Sequence, residues 1–164
     1  MKPTSVNWFS WRTVLRVALS IFFLSASVNA GSWHGIEPFK SRRADVLQIL
    51  GQPISESPNG PLTFRIAGGT ASISFVDDKF VRAKKLRPEI EGTVLQIILQ
   101  HENSSDTPES MNLSKNRDFV RDETKEALIY RNLKQGIVYT FFRGELQTTR
   151  YTFSDSQISR ARRR

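Results

Sequence analysis

The sequence predicts an α+β fold in which one N-terminal helix packs on an antiparallel β-meander, with room for two related half-sheets. Three observations carry this. One short helical stretch, "SRRADVLQILGQP" (41–53), is closed by Gly and Pro. Behind it come runs in which apolar and polar residues alternate, divided by turns containing Gly or Asp. "LTFR" (62–65) returns as "LIYR" (128–131), and each copy leads into a Gly-containing turn and a strand ending in Phe.

The first thirty residues have the order of a secretory signal peptide: Lys2, Arg12 and Arg16 without an acid, an apolar run from Val17 to Leu24, then small residues ending Val28-Asn29-Ala30. The apolar stretch, Val14 to Ala26 at its widest, is shorter than the ~20 residues a bilayer span needs, so cleavage is favoured over a retained anchor. Cleavage after Ala30 leaves 134 of the 164 residues, with 21 basic and 16 acidic groups and a formal charge of +5. That length makes one domain with a core of its own, expected over residues 31–154. The chain has no cysteine. Packing alone must hold the fold, and acyl anchoring, thiolate metal sites and cysteine nucleophiles are excluded.

Element by element, "GSWHGIEPF" (31–39) reads as an extended lead-in packed on the domain through Trp33, Ile36 and Phe39. Ser41 is the expected helix cap. Val46, Leu47, Ile49 and Leu50 form the buried stripe, with Asp45 and Gln48 facing water; Gly51 supplies the stop and Pro53 prevents resumption. Strands are expected at Leu62 to Ile66 and Thr70 to Val76, joined by Gly68-Gly69. Asp77-Asp78 makes a turn, residues 79–87 form a basic extended edge, and Thr93 to Glu102 is a strand. Residues 103–116 are polar and turn-rich, a surface loop dividing two halves. Further strands follow at Phe119 to Asp122, Ala127 to Asn132, Gly136 to Phe142 and, after an Arg143-Gly144-Glu145 turn, Leu146 to Phe153. Residues 155–164 are expected to be a disordered basic tail.

The pattern Asp45-Val46, then Ile49-Leu50-Gly51-Gln52-Pro53, then a Gly-turned hairpin, resembles the SmpA/OmlA-like envelope proteins and, more loosely, the beta-lactamase-inhibitor-protein-like fold. The second half also looks like small secreted bacterial proteins that end in a Tyr-rich strand pattern. The resemblance covers the first third of the mature chain closely and the rest in strand order. It implies a scaffold for protein contacts, with Ser41, Asp45, Leu50, Gly51 and Pro53 in structural roles. The lipoprotein members carry a lipidated cysteine after the signal, where this chain has Gly31-Ser32.

The chemistry-bearing residues are sparse. His34 and His101 are the two histidines, without a His-x-x-x-His pair, and no Gly-x-Ser-x-Gly or phosphate-cradling Gly loop is present. Asp77-Asp78, Glu89 with Glu91, and Asp122-Glu123 fall in turns or polar segments. The expectation is therefore a protein that is not an enzyme, without catalytic residues, metal or cofactor. Lys40, Arg42 and Arg43 at the helix start, with Arg160, Arg162, Arg163 and Arg164 at the C-terminus, are candidate anion contacts. No aromatic residue interleaves with the C-terminal arginines, so specific nucleic-acid binding is not expected.

In "IVYTFF" (137–142) both alternating sets are apolar: Ile137, Tyr139 and Phe141 against Val138, Thr140 and Phe142. Tyr139, Phe141, Tyr151 and Phe153 are the candidate protein-contact face. The functional expectation is an exported, periplasmic or extracellular protein-interaction module whose partner is another envelope or secreted protein, with no transmembrane span once the signal is removed. The alternatives are an electrostatic binder of anionic envelope polymers or lipid headgroups, and an unrecognised hydrolase using carboxylates.

Overall fold

The computed structural model describes residues 31–57 and 60–162. The proposed signal peptide, Arg163 and Arg164 lie outside the described residues. The fold is α+β: an eight-stranded antiparallel sheet and three helices. In chain order the elements are α1 (Arg43–Leu50), β1 (Ser55–Glu56), β2 (Leu62–Ile66), β3 (Gly69–Phe75), α2 (Asp78–Lys84), β4 (Val94–His101), β5 (Val120–Glu123), β6 (Ala127–Asn132), β7 (Ile137–Phe142), β8 (Glu145–Thr152) and α3 (Asp155–Ala161). Short 3-10 turns occupy Pro88–Ile90 and Leu113–Lys115. The sheet order is β1-β2-β3-β4-β8-β7-β6-β5. Two four-stranded meanders thus lie side by side, joined through their last strands, with Ile98 opposite Arg150 midway along the seam.

The lead-in is tied to β4. Phe39 donates its N–H to Val94 O, Val94 N–H donates to Ser41 O, and Ile36 is fully buried. Ser41 is not the helix cap, because its hydroxyl is turned back to accept from the Glu37 N–H at 3.0 Å, inside the preceding turn. Arg42 takes the cap position, and the Asp45 carboxylate accepts its N–H at 2.8 Å. Val46 is buried under α1 with Leu47 and Leu50 packed beside it, whereas Ile49 is 46 % exposed and drops out of the stripe. Gly51 ends the helix at φ +77°, a conformation open to Gly without Cβ strain.

The first core gathers Ile36, Val46, Leu62, Phe64, Ala71, Ile73, Val94, Ile97 and Leu99 between α1, the lead-in and one face of β2–β4. The second half has its own: Leu113, Tyr130, Phe141 and Leu146, flanked by Met111, Phe119, Leu128 and Tyr139. The 103–116 segment is therefore more than a divider. Its Met111 and Leu113 cover the second half-sheet.

Two further sequence expectations are overturned. Residues 79–87 are not an extended edge: Asp77 accepts from the Phe80 N–H at 2.7 Å and starts α2, whose Phe80 and Val81 face the core. The tail is not disordered over its described part. Ser154, fully buried, accepts from Gln157 N–H while the Gln157 side chain accepts from Ser154 N–H, a reciprocal cap that opens α3. Ile158 and Ala161 then pack with Val76, Val81, Leu86 and Ile90.

The two meanders share two local features. Pairing of the third strand with the fourth shifts register at Ser74/Phe75 in one and Thr140/Phe141 in the other. Each second hairpin also places a Gly where a Cβ would meet a strand carbonyl: Gly69 against Gln100 O at 1.9 Å, Gly136 against Thr152 O at 2.1 Å. Only Gly fits either place.

Candidate functional site: an open sheet face

Strand register assigns each side chain to a face. Every buried strand residue, from Leu62 and Phe64 through Ile97 and Leu99 to Tyr130, Phe141 and Thr149, belongs to the face covered by α1, the lead-in and the 103–119 segment. The opposite face carries no buried residue. Its middle row runs Thr63–Ser72–Ile98–Arg150–Val138–Arg131–Val120 across seven strands. The next row runs Arg65–Thr70–Gln100–Thr148–Thr140–Ile129–Asp122.

The chemistry of this face is specific. Hydroxyl and amide groups of Thr, Ser and Gln alternate with Ile98, Val138 and Ile129, and Phe142 stands 39 % exposed at one margin. The Arg143 guanidinium lies 5.1 Å from the Phe142 ring centroid. Two outer arginines are paired: Arg65 with Glu102, Arg131 with Asp122. Arg150, exposed at the centre on the β4–β8 seam, forms no ion pair among the described residues. Six strands at ~4.8 Å spacing and five to eight residues at ~3.3 Å each project on the order of 500 Å² before side-chain relief is counted. That is comparable with one side of a standard protein interface, about 800 Å².

This face is not the one proposed from sequence. Phe141 is 1 % exposed and sits edge-on to Tyr130 in the second core. Tyr139 lies beside Phe119, Tyr151 packs on the first core, and Phe153 stacks on Phe39 at 4.7 Å. Burial raises the pKa of both Tyr139 and Tyr151 above the ordinary 10.0, with the neighbouring Tyr139 adding to the effect on Tyr151. All four are packing residues. The set that sequence alternation placed opposite them, Val138, Thr140 and Phe142, is the open one.

The proposed anion contacts do not converge. Lys40 pairs with Glu37, Arg42 donates to the carbonyls of Glu89 and Glu91, and Arg43 pairs with Glu56 while lying over Phe75. Each is engaged structurally. A cleft of about 510 Å³ beside Arg43 is lined by Pro61, Phe75, Asp77 and Lys79, so the acids Glu56 and Asp77 offset its two cations. Arg160 and Arg162 lie elsewhere, beside the C-terminal end of α2.

His101 bonds to the Thr149 hydroxyl at 2.9 Å on the covered face, where burial lowers its pKa against the opposing effect of Asp106. The carboxylates flagged in the sequence are dispersed in structural roles: Asp77 caps α2, Asp78 pairs with Arg82, Asp122 with Arg131 and Glu123 with Arg121. Among the described residues no group of three or more His, Cys, Asp or Glu side chains is arranged to hold a metal, and no helix is long and apolar enough to cross a membrane. Compared with known protein families, curated proteins and solved structures, the chain has no match.

Proposed function

We propose that the chain is a non-catalytic protein-interaction module of the cell envelope, exported to the periplasm or the extracellular space, that binds a partner protein on the open face of its sheet. The observation that carries this reading is Arg150: a cation without an ion-pair partner among the described residues, central on a face of hydroxyl, amide and apolar groups, while Arg65 and Arg131 on the same face are paired. Arginine is among the residues that dominate binding energy at the centre of interfaces, because its planar donors engage a carboxylate or carbonyl in fixed geometry. A partner presenting an acidic residue among polar and apolar groups would meet this face.

The proposal extends to kinship. The chain is an SmpA/OmlA-like protein with a beta-lactamase-inhibitor-protein-like architecture, and its two four-stranded meanders are related copies. The matching register shifts and the paired glycines support that relation. The LTFR and LIYR segments fall on the second strand of each meander, and their residues differ by two positions in pairing register, which leaves them on the same faces.

The test is affinity capture from envelope extract of the source cell, comparing the wild-type chain with Arg150→Glu and with Thr148→Arg. One protein retained by the wild-type chain and lost by both variants is the expected result. A loss of 2 kcal/mol, the usual threshold for a dominant interface residue, corresponds to about 30-fold in affinity. Equal retention by all three chains would sink the proposal.

A further inference from the structure

A concentration of uncompensated charge lies where α2 and α3 end. Residues 84–87 and 160–162 contain five basic groups and no acid. The fold brings these two segments together: Leu86 and Arg162 form an antiparallel bridge, and the Arg87 N–H donates to Ala161 O at 2.9 Å. Leu86 is 0 % and Ala161 4 % exposed, both within the helix-end core. Leu86 and Ala161 are buried at this joint, and Lys84, Lys85, Arg87, Arg160 and Arg162 around it are all exposed. None of the five forms an ion pair among the described residues, and Arg163 and Arg164 continue the run in sequence.

Helix C-termini favour cations, which accounts for Lys84 and Arg160 in the last turns of α2 and α3 and for Arg162 at the C-cap of α3. It does not account for Arg87, which lies beyond the end of α2. Lys85 also holds φ +53°, a conformation that Gly adopts without strain and Lys does not. The local backbone would be better served by Gly there.

We infer that these two segments form one composite site for the anionic headgroups of a lipid bilayer, separate from the sheet face and able to act whether or not that face binds a protein. Clusters of four to eight Lys or Arg recognise such surfaces through their summed attraction, which falls off within a Debye length. No aromatic ring is interleaved with these cations, so the site lacks the stacking platform that would select single-stranded nucleic acid.

The test is cosedimentation of the full chain with vesicles containing phosphatidylglycerol, against vesicles of phosphatidylcholine alone, at low and high salt. The neutral vesicles register whatever the apolar N-terminal segment contributes. Tighter binding to anionic vesicles, lost as salt rises, is expected. Lys85→Gly combined with Arg87→Gln, Arg160→Gln and Arg162→Gln should weaken that component on the order of 100-fold or more. Lys85→Gly relieves strain while removing charge, so it also serves alone as a variant that keeps the fold and weakens binding. Arg117→Gln with Lys125→Gln, near β5, should leave binding unchanged. Equal loss in that control would mean that net charge alone acts, and would overturn the site. Equal binding to both vesicle types, or binding to soluble inorganic polyphosphate without vesicle binding, would overturn it as well.

Discussion

Phe141 and Phe142 are sequence neighbours on opposite faces of one strand, so truncating each in turn tests the assignment of the open face. Phe141 is 1 % exposed against Tyr130 and Leu146; Phe142 is 39 % exposed with the Arg143 guanidinium as its close polar neighbour. Phe141→Ala removes a fully buried ring and leaves a cavity that the surrounding strands can only partly fill, a cost of about 3–5 kcal/mol. Phe142→Ala removes a ring already partly in water, and solvent occupies the space it vacates. Scaling full burial at about 1.5–3 kcal/mol by the covered fraction gives about 1–2 kcal/mol, with the cation–π contact inside that figure. In a domain of this size 1 kcal/mol shifts the melting temperature by roughly 3 °C, so the first variant should melt ~9–15 °C lower and the second ~3–6 °C lower. Urea titration followed by circular dichroism, with thermal melts in parallel, reads both. Below its melting temperature Phe141→Ala should still capture the partner, whereas Phe142→Ala should capture it less well. Equal destabilisation, or a greater loss for Phe142→Ala, would refute the face assignment and the proposed interface with it.

Arg150→Glu, which severs no ion pair among the described residues, should change stability by less than ~0.5 kcal/mol, and a large drop would show that the arginine is structural. Ser154→Ala should cost about 1 kcal/mol by removing the cap of α3 and should speed tryptic cleavage after Arg160; unchanged proteolysis would mean that the C-terminal segment is not docked. Because burial holds the Tyr139 and Tyr151 phenols above 10.0, their absorbance change in alkaline titration, isolated by single Tyr→Phe variants, should come later than that of a free tyrosine. Ordinary titration of both would place them in solvent. His101 has a folded pKa below the ordinary 6.5, so the unfolded chain takes up a proton first as pH falls. Its contribution to stability should therefore be lost as pH drops below ~6.5, and His101→Gln should remove that part of the pH dependence in urea titrations run across that range.

Much of the strand structure was legible because it rests on local signals. Apolar and aromatic runs bounded by turn residues mark β2, β6 and β7 nearly to the residue, and Gly68-Gly69 and Arg143-Gly144 mark the hairpins. The candidate site was less legible. In residues 137–142 both alternating sets are apolar enough to be core, and aromatic content pointed to Tyr139 and Phe141 as contacts when they are packing residues. Asp77 reads equally as a turn or a cap. The balance goes to the helix because Phe80 and Val81 find Leu86, Ile90 and the residues of α3 to pack against. The C-terminal segment has no strong apolar period of its own, but Ile158 and Ala161 suffice once α2 stands beside them.

By itself the sequence determined the period of each segment and the places where the chain must turn, since alternation, capping residues and glycines act within a few residues of backbone. Tertiary structure decided which face of the sheet is covered, that β4 and β8 meet at Ile98 and Arg150, and that the segments carrying Lys85, Arg87, Arg160 and Arg162 meet at the Leu86–Arg162 bridge. These outcomes depend on contacts between residues some fifty to eighty positions apart in the chain. Only the packing of whole elements against one another sets the free energy of such contacts.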